Sequence, residues 1–188
     1  MSDTTAPYRL LGVDPGTNIL GFAIIEVNGK KLQLLELGVV HLKQFKEQEL
    51  KLKRIFERIQ VIIDVYGPTE MAIEAPFYGK NPQSMLKLGR AQGVAMAAAI
   101  TKGLEITEYS PKKIKQSVTG NGNAAKEQVA AMLTQTFRID LSDHYLDATD
   151  ALAAAVCHYY QSKAFPGGGK RYSGWDAFIK NNPKRVKK

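Results

Sequence analysis

Residues 9–13 form a short apolar run with sharp polar boundaries, the pattern of a buried strand. Residues 19–27 read as a second strand, broken by Gly21, and 32–40 as a third. Between them lies Asn28-Gly29, the dipeptide best suited to a two-residue type I′ turn. The period then changes from two to three and four. Leu52, Ile55, Phe56, Ile59, Ile62, Ile63 and Tyr66 predict an amphipathic helix over 48–66, which Gly67-Pro68 ends. A short buried strand follows at 71–76. Asn81-Pro82, an N-cap and first helical residue, then opens a helix to about residue 102. Within it Gly89, Gly93 and Ala97 fall four apart, a stripe almost bare of side chain that packs closely against either the sheet or a partner subunit. Residues 104–109 read as a fifth strand, Ser110-Pro111 caps a short helix through 118, and helices over 124–136 and 143–163 complete the chain. Three antiparallel strands followed by helix-linked ones predict an α/β fold. Its five-stranded mixed sheet has helices on both faces and strands one and four as central neighbours.

Composition narrows the class. The 188 residues suffice for one domain of ordinary size, and no run approaches the eighteen apolar residues of a membrane span. Residues 1–7 lack the basic and apolar regions of an export signal, so a soluble cytoplasmic protein is expected. Cys157, the single cysteine, sits in an apolar helical run, as a buried thiol does in a reducing compartment. The net charge of +8 is unevenly placed. Residues 169–188 hold seven Lys or Arg against Asp176 alone, a net +6, whereas the other 168 residues carry nineteen against seventeen. The expected organisation is therefore a domain over 1–165 and a glycine-rich linker with a basic tail over 166–188. That tail is either an arm that neutralises phosphates or a solubilising end.

Carboxylates supply the candidate chemistry. Asp14 closes the first strand within Leu11-Gly12-Val13-Asp14-Pro15-Gly16, and Glu74 closes the fourth within Ala72-Ile73-Glu74. Pro15 presets one φ and Gly16 permits another, so Asp14 is either a turn former or a functional acid. Asp143, Asp147 and Asp150 are spaced by four and three, which on a helix places like charges on one face. Asp150 also borders an alanine-rich segment that should be buried. A bound cation accounts for such a cluster: the donors are hard oxygens suited to Mg²⁺ or Mn²⁺, and zinc-type Cys and His clusters are absent from the sequence. His144 reads as a surface residue or a ligand.

These motifs, with Ser84-Met85-Leu86-Lys87-Leu88-Gly89-Arg90-Ala91-Gln92-Gly93, Lys115-Gln116-Ser117-Val118-Thr119-Gly120 and Asp147-Ala148-Thr149-Asp150-Ala151-Leu152, resemble the RuvC family of bacterial Holliday-junction resolvases. The match runs through about 8–163 with five motifs in order, and the 169–188 tail has no counterpart in the shared core. The resemblance implies a ribonuclease H-like fold, a homodimer, and Mg²⁺-dependent symmetrical nicking of four-way DNA junctions alongside the RuvA and RuvB branch-migration machinery. Two ions per site are implied, with Mn²⁺ as a substitute. By position it implies Asp14, Glu74, Asp147 and Asp150 as catalytic, metal-binding carboxylates. Lys115 and Lys126 fall where the family carries basic residues, either offsetting transition-state charge or binding DNA. Phe77 matches a family aromatic at the junction centre in a loop with Tyr78 and Lys80. It either stacks on an unpaired base or tucks into the core.

Three other readings compete with this one. A related ribonuclease H-like nuclease acting on a different nucleic acid shares the carboxylates. The phosphate loop of actin-like kinases and ATPases shares the Asp-x-Gly-Thr turn, but it needs two such domains and has no place for Asp147 and Asp150. A non-catalytic scaffold would lack the carboxylates, and all four are present.

Overall fold

The computed structural model describes residues 6–76, 81–141 and 144–164. Its strands are β1 (Tyr8–Asp14), β2 (Ile19–Asn28), β3 (Lys31–His41), β4 (Glu70–Glu74) and β5 (Glu105–Tyr109). They form one sheet in the order β3-β2-β1-β4-β5, with β1, β2 and β3 antiparallel and β4 and β5 parallel to β1. The helices are α1 (Gln48–Tyr66), α2 (Pro82–Ile100), α3 (Pro111–Thr119), α4 (Lys126–Phe137) and α5 (Leu146–Ala164).

Side-chain alternation sorts each strand between two cores. Leu11 and Val13 of β1, with Met71 and Ile73 of β4, pack with Ile55, Ile59 and Ile62 of α1 and Ala91, Ala95 and Ala98 of α2. Leu10 and Ala72 face the other way, with Ile114 and Val118 of α3, Leu133 of α4 and the 151–157 run of α5. Asp14 is four residues from Leu10 and Glu74 two from Ala72. The period of two thus turns both acids toward α5.

Most expected element boundaries fall within a residue or two of the observed ones. Asn81 caps α2 by accepting from the Gln83 and Ser84 N–H groups, and Ser110 caps α3 by accepting from Lys113 N–H. Four details differ. Asn28 pairs with Lys31, so Gly29 and Lys30 are the central residues of the β2–β3 turn. Gly29 has φ 57° and Lys30 does not share the positive sign, which rules out type I′. Gly16 does not use its φ freedom; a Cβ there would collide with the Ile19 carbonyl, so the turn after Asp14 needs glycine for space. Helix α5 starts at Leu146 rather than at 143, and Asp143, expected on one face with Asp147 and Asp150, lies outside the described residues.

The fourth difference concerns α2. A Cβ added at Gly89 or Gly93 would meet nothing within 4 Å, and Gly93 and Ala97 are exposed. The expected close approach to the protein's own sheet is therefore absent: α2 buries its Ala91, Gln92, Ala95, Ala98 and Ala99 side and leaves the glycine stripe to solvent.

Candidate active site

Asp14 ends β1 and Glu74 ends β4, and the parallel register that pairs Val13 with Ile73 makes these ends neighbours. Helix α5 brings the other two acids across the sheet. It lies against the strands only because two strand residues have no side chain. A Cβ on Gly12 would strike the Ala151 carbonyl and come within 2.9 Å of the Ala155 Cβ, and one on Gly21 would strike the Asp147 carbonyl. Gly21 had weakened the sequence case for its strand. In the structure it is the seat of the first turn of α5 and places Asp147 beside the strand partner of Asp14.

The far end of α5 is fastened as well. His158, 7 % exposed, bonds through Nε2 to Glu70 Oε2 at 2.5 Å and through Nδ1 to the Tyr109 hydroxyl at 2.8 Å. This contact holds the Glu70 carboxyl below its usual range. Glu70 precedes Glu74 by four strand residues, about 13 Å, and His158 follows Asp150 by eight helical residues, about 12 Å. The two spans agree, so the His158–Glu70 contact sets the longitudinal register that brings Asp150 beside Glu74. No motif announced this role.

Electrostatics show how near the acids are. Burial, then the charges of Glu74, Asp150 and Asp147, push the Asp14 carboxyl from 3.8 to about 8, against a lowering influence from Lys126. Burial and Asp150 push Glu74 to about 7, opposed by Lys126 and Lys115. Lys126 Nζ contacts Asp150 Oδ2 at 2.5 Å. Burial alone would lower the Lys126 ammonium, but the Asp150 hydrogen bond and the charges of Asp150, Asp14 and Asp147 raise it. Two clefts meet at Glu74. One of about 310 Å³ is lined by Glu74, Lys115, Lys126 and Asp150, and one of about 100 Å³ by Asp14, Pro15, Glu74 and Leu88. Asp147 lines neither and acts on Asp14 more weakly than Glu74 or Asp150, as suits a residue at the edge.

The structure thus brings together Asp14, Glu74, Asp147, Asp150, Lys115 and Lys126. Phe77 and Lys80 lie outside the described residues. His144 is exposed, and Cys157 is buried with its thiol pushed up by burial, an inert packing residue. Among the described residues no three His, Cys, Asp or Glu stand close enough to hold a metal ion as they are, and Asp150 is paired with Lys126. The donors still fit a hard divalent cation. They are oxygens alone, they crowd enough to raise each other's proton affinity, and an ammonium partly offsets their charge.

A five-stranded mixed sheet with acids at the ends of two central strands and on the crossing helix defines a nuclease of the ribonuclease H-like class. The sequence profile described as Crossover junction endodeoxyribonuclease RuvC matches residues 10–158, and the chain belongs to that family. Among its relatives, a crossover junction endodeoxyribonuclease RuvC of Cytophaga hutchinsonii is 57 % identical over 186 residues, 99 % of this chain and 92 % of that protein. That of Porphyromonas gingivalis is 52 % identical over 182 residues, covering 95 % and 96 %. The structure superposes on Thermus thermophilus RuvC in complex with Holliday junction substrate with a TM-score of 0.78 and 29 % identity, over 84 % of this chain and 96 % of that one.

Proposed function

We propose that this chain resolves four-way DNA junctions by paired, symmetrical, divalent-metal-dependent nicks, acting in the cytoplasm as a homodimer alongside RuvA and RuvB. The observation that carries this reading is the raised Asp14 carboxyl. Three other acids repel it in a partly buried site, and a divalent cation relieves that repulsion while a lone structural acid would have no use for it.

Asp14, Glu74, Asp147 and Asp150 would hold Mg²⁺, or Mn²⁺ in its place. The bound metal supplies an activated water and stabilises the leaving 3′ oxygen of the phosphodiester. The chain's own residues do the rest. β1 and β4 fix two carboxylates on a rigid sheet, and α5, locked by His158, fixes the other two. With the acids holding a cation, Lys126, paired with Asp150 in this structure, would be free to bring a positive charge to the phosphate, and Lys115 would add a second in the same cleft. Phe77 and Lys80 are proposed to meet DNA at the junction centre. No described helix is long and apolar enough to cross a membrane.

A four-way junction presents two equivalent strands about a dyad, and a C₂ dimer supplies two equal sites. The exposed side of α2 suits that interface. Leu86 and Ile100 are 63 % and 62 % exposed, and a cleft of about 560 Å³ is lined by Pro82, Met85, Leu86, Gly89 and Arg90. Gly93 and Ala97 between them allow close helix approach.

The test uses a labelled four-way junction, a matched duplex and an RNA·DNA hybrid, each with Mg²⁺ or Ca²⁺. Paired nicks in the junction with Mg²⁺, and binding without cleavage with Ca²⁺, are expected. Preferential cutting of the hybrid would replace this reading with that of a related nuclease. A dimer of one intact and one Asp14→Asn subunit should yield single nicks. Full resolution by a monomer would remove the paired-site model, and an unchanged dimer in Ala97→Leu would place the interface elsewhere.

A further inference from the structure

The pole of the sheet opposite the carboxylates holds a concave feature that the nuclease reaction does not use. A cavity of about 480 Å³ opens between the β2–β3 turn, the end of α4 and the last turns of α5. Lys30, Lys31 and Arg138 line it with Leu32, Phe137, Tyr159 and Tyr160, and among the described residues no carboxylate does. None of these three cations forms an ion pair with an acid among the described residues.

Arg138 adds an independent observation. It caps α4 with φ 56° and is the one non-glycine with positive φ among the described residues. That position ordinarily takes glycine, which adopts the left-handed conformation without strain. Here the strained backbone belongs to an arginine that lines the cavity. Arginine at such a place is unfavourable for folding and points to recognition.

We propose that this cavity docks an acidic segment of a partner protein, with one apolar or aromatic side chain of the segment seated among Leu32, Phe137 and Tyr160. Three unpaired cations call for carboxylates, and the mixed polar and apolar lining suits a peptide anchor between them. Position argues against the junction itself. The β2–β3 turn lies at the Tyr8 end of β1, about 20 Å along the strand from Asp14. A duplex arm held at the carboxylate pole is too stiff to fold round a domain of that depth. Only this exclusion rests on the proposed function.

The probe is a fluorescein-labelled acidic octapeptide with a central phenylalanine, titrated into the full-length chain and followed by anisotropy. Saturable, salt-sensitive binding is expected, weakened at least tenfold by Lys31→Glu with Arg138→Gly and by alanine in place of the peptide's phenylalanine. Lys53→Glu on α1 should leave it unchanged. Arg138→Gly keeps the fold because glycine takes φ 56° freely, and junction cleavage should persist in the double variant. Equal peptide binding by wild type and double variant overturns the proposal. So does an equal loss of junction or single-stranded DNA affinity in that variant, which would make the cavity a nucleic-acid site. Failure of junction cleavage in the wild type would instead count against the proposed function.

Discussion

Replacing Asp14 by Asn should abolish cleavage and make the metal-free protein more stable, a pairing that an ordinary structural acid would not give. The folded chain keeps the Asp14 proton to about 8, whereas an unperturbed Asp releases it near 3.8. A carboxyl raised in this way destabilises the fold as pH climbs. Below about pH 4 both states are protonated and nothing is lost. Between about 4 and 8 the unfolded chain gives up a proton that the native chain retains, and stability falls through that window. At pH 7 roughly three pH units have been crossed, at about 1.36 kcal/mol each, for an upper limit of about 4 kcal/mol. Readjustment of Glu74 and Asp150 reduces what Asn recovers to about 2 kcal/mol, or about 4–8 °C in Tm for a domain of this size. Thermal unfolding in EDTA from pH 4 to 8 should show the two proteins converging at the acid end and diverging toward pH 8. Adding Ca²⁺ should then raise the wild-type Tm and leave the variant nearly unmoved. An Asp14→Asn protein that melts below wild type in EDTA at pH 7, or gains as much from Ca²⁺, would refute the reasoning.

Gly21→Ala should force α5 away from β2 because the new methyl meets the Asp147 carbonyl. A loss of about 1–3 kcal/mol in urea unfolding is expected, with a larger proportional loss of cleavage. Lys126→Gln should lower kcat about 10–100-fold with little change in KM if its charge serves the transition state; a rise in KM alone would assign it to DNA binding. His158→Phe keeps an aromatic ring and strands Glu70 and Tyr109 without their partner, costing about 1–3 kcal/mol. Its Ca²⁺ affinity, measured well below its Tm, should fall while that of Tyr109→Phe falls less, and unchanged affinity in both would make the contact a matter of stability alone.

Much of the architecture was readable because each element carries its own signal. The 48–66 helix is written in Leu52, Ile55, Ile59 and Ile62, and its start and end match the structure. The acids stood out because Asp14 and Glu74 interrupt apolar runs. What stayed hidden depends on two elements at once. A central strand buried on both faces is apolar throughout, so the run at 10–13 does not disclose which face Asp14 turns to. Gly21 reads as a break in its strand, and Gly12 passes without remark, until the helix that occupies their missing side chains is in place. The α2 stripe signals close packing but not against what, and here the protein's own sheet proved the wrong candidate. His158 lies in an apolar helical segment where nothing nearby in sequence marks its partners, which are 88 and 49 residues away.

The double attachment of α5 also limits how this gene can change length. Helix and strand advance at unequal rates, about 1.5 and 3.3 Å per residue, and here they coincide at Asp150 with Glu74 and again at His158 with Glu70. One residue gained or lost between positions 151 and 157 would swing everything beyond it by about 100° around the helix. His158 would then leave Glu70, and a change before position 155 would also turn Ala155 away from Gly12. Insertions that the surface connections can absorb are closed to this seven-residue stretch, whose length the two attachments fix.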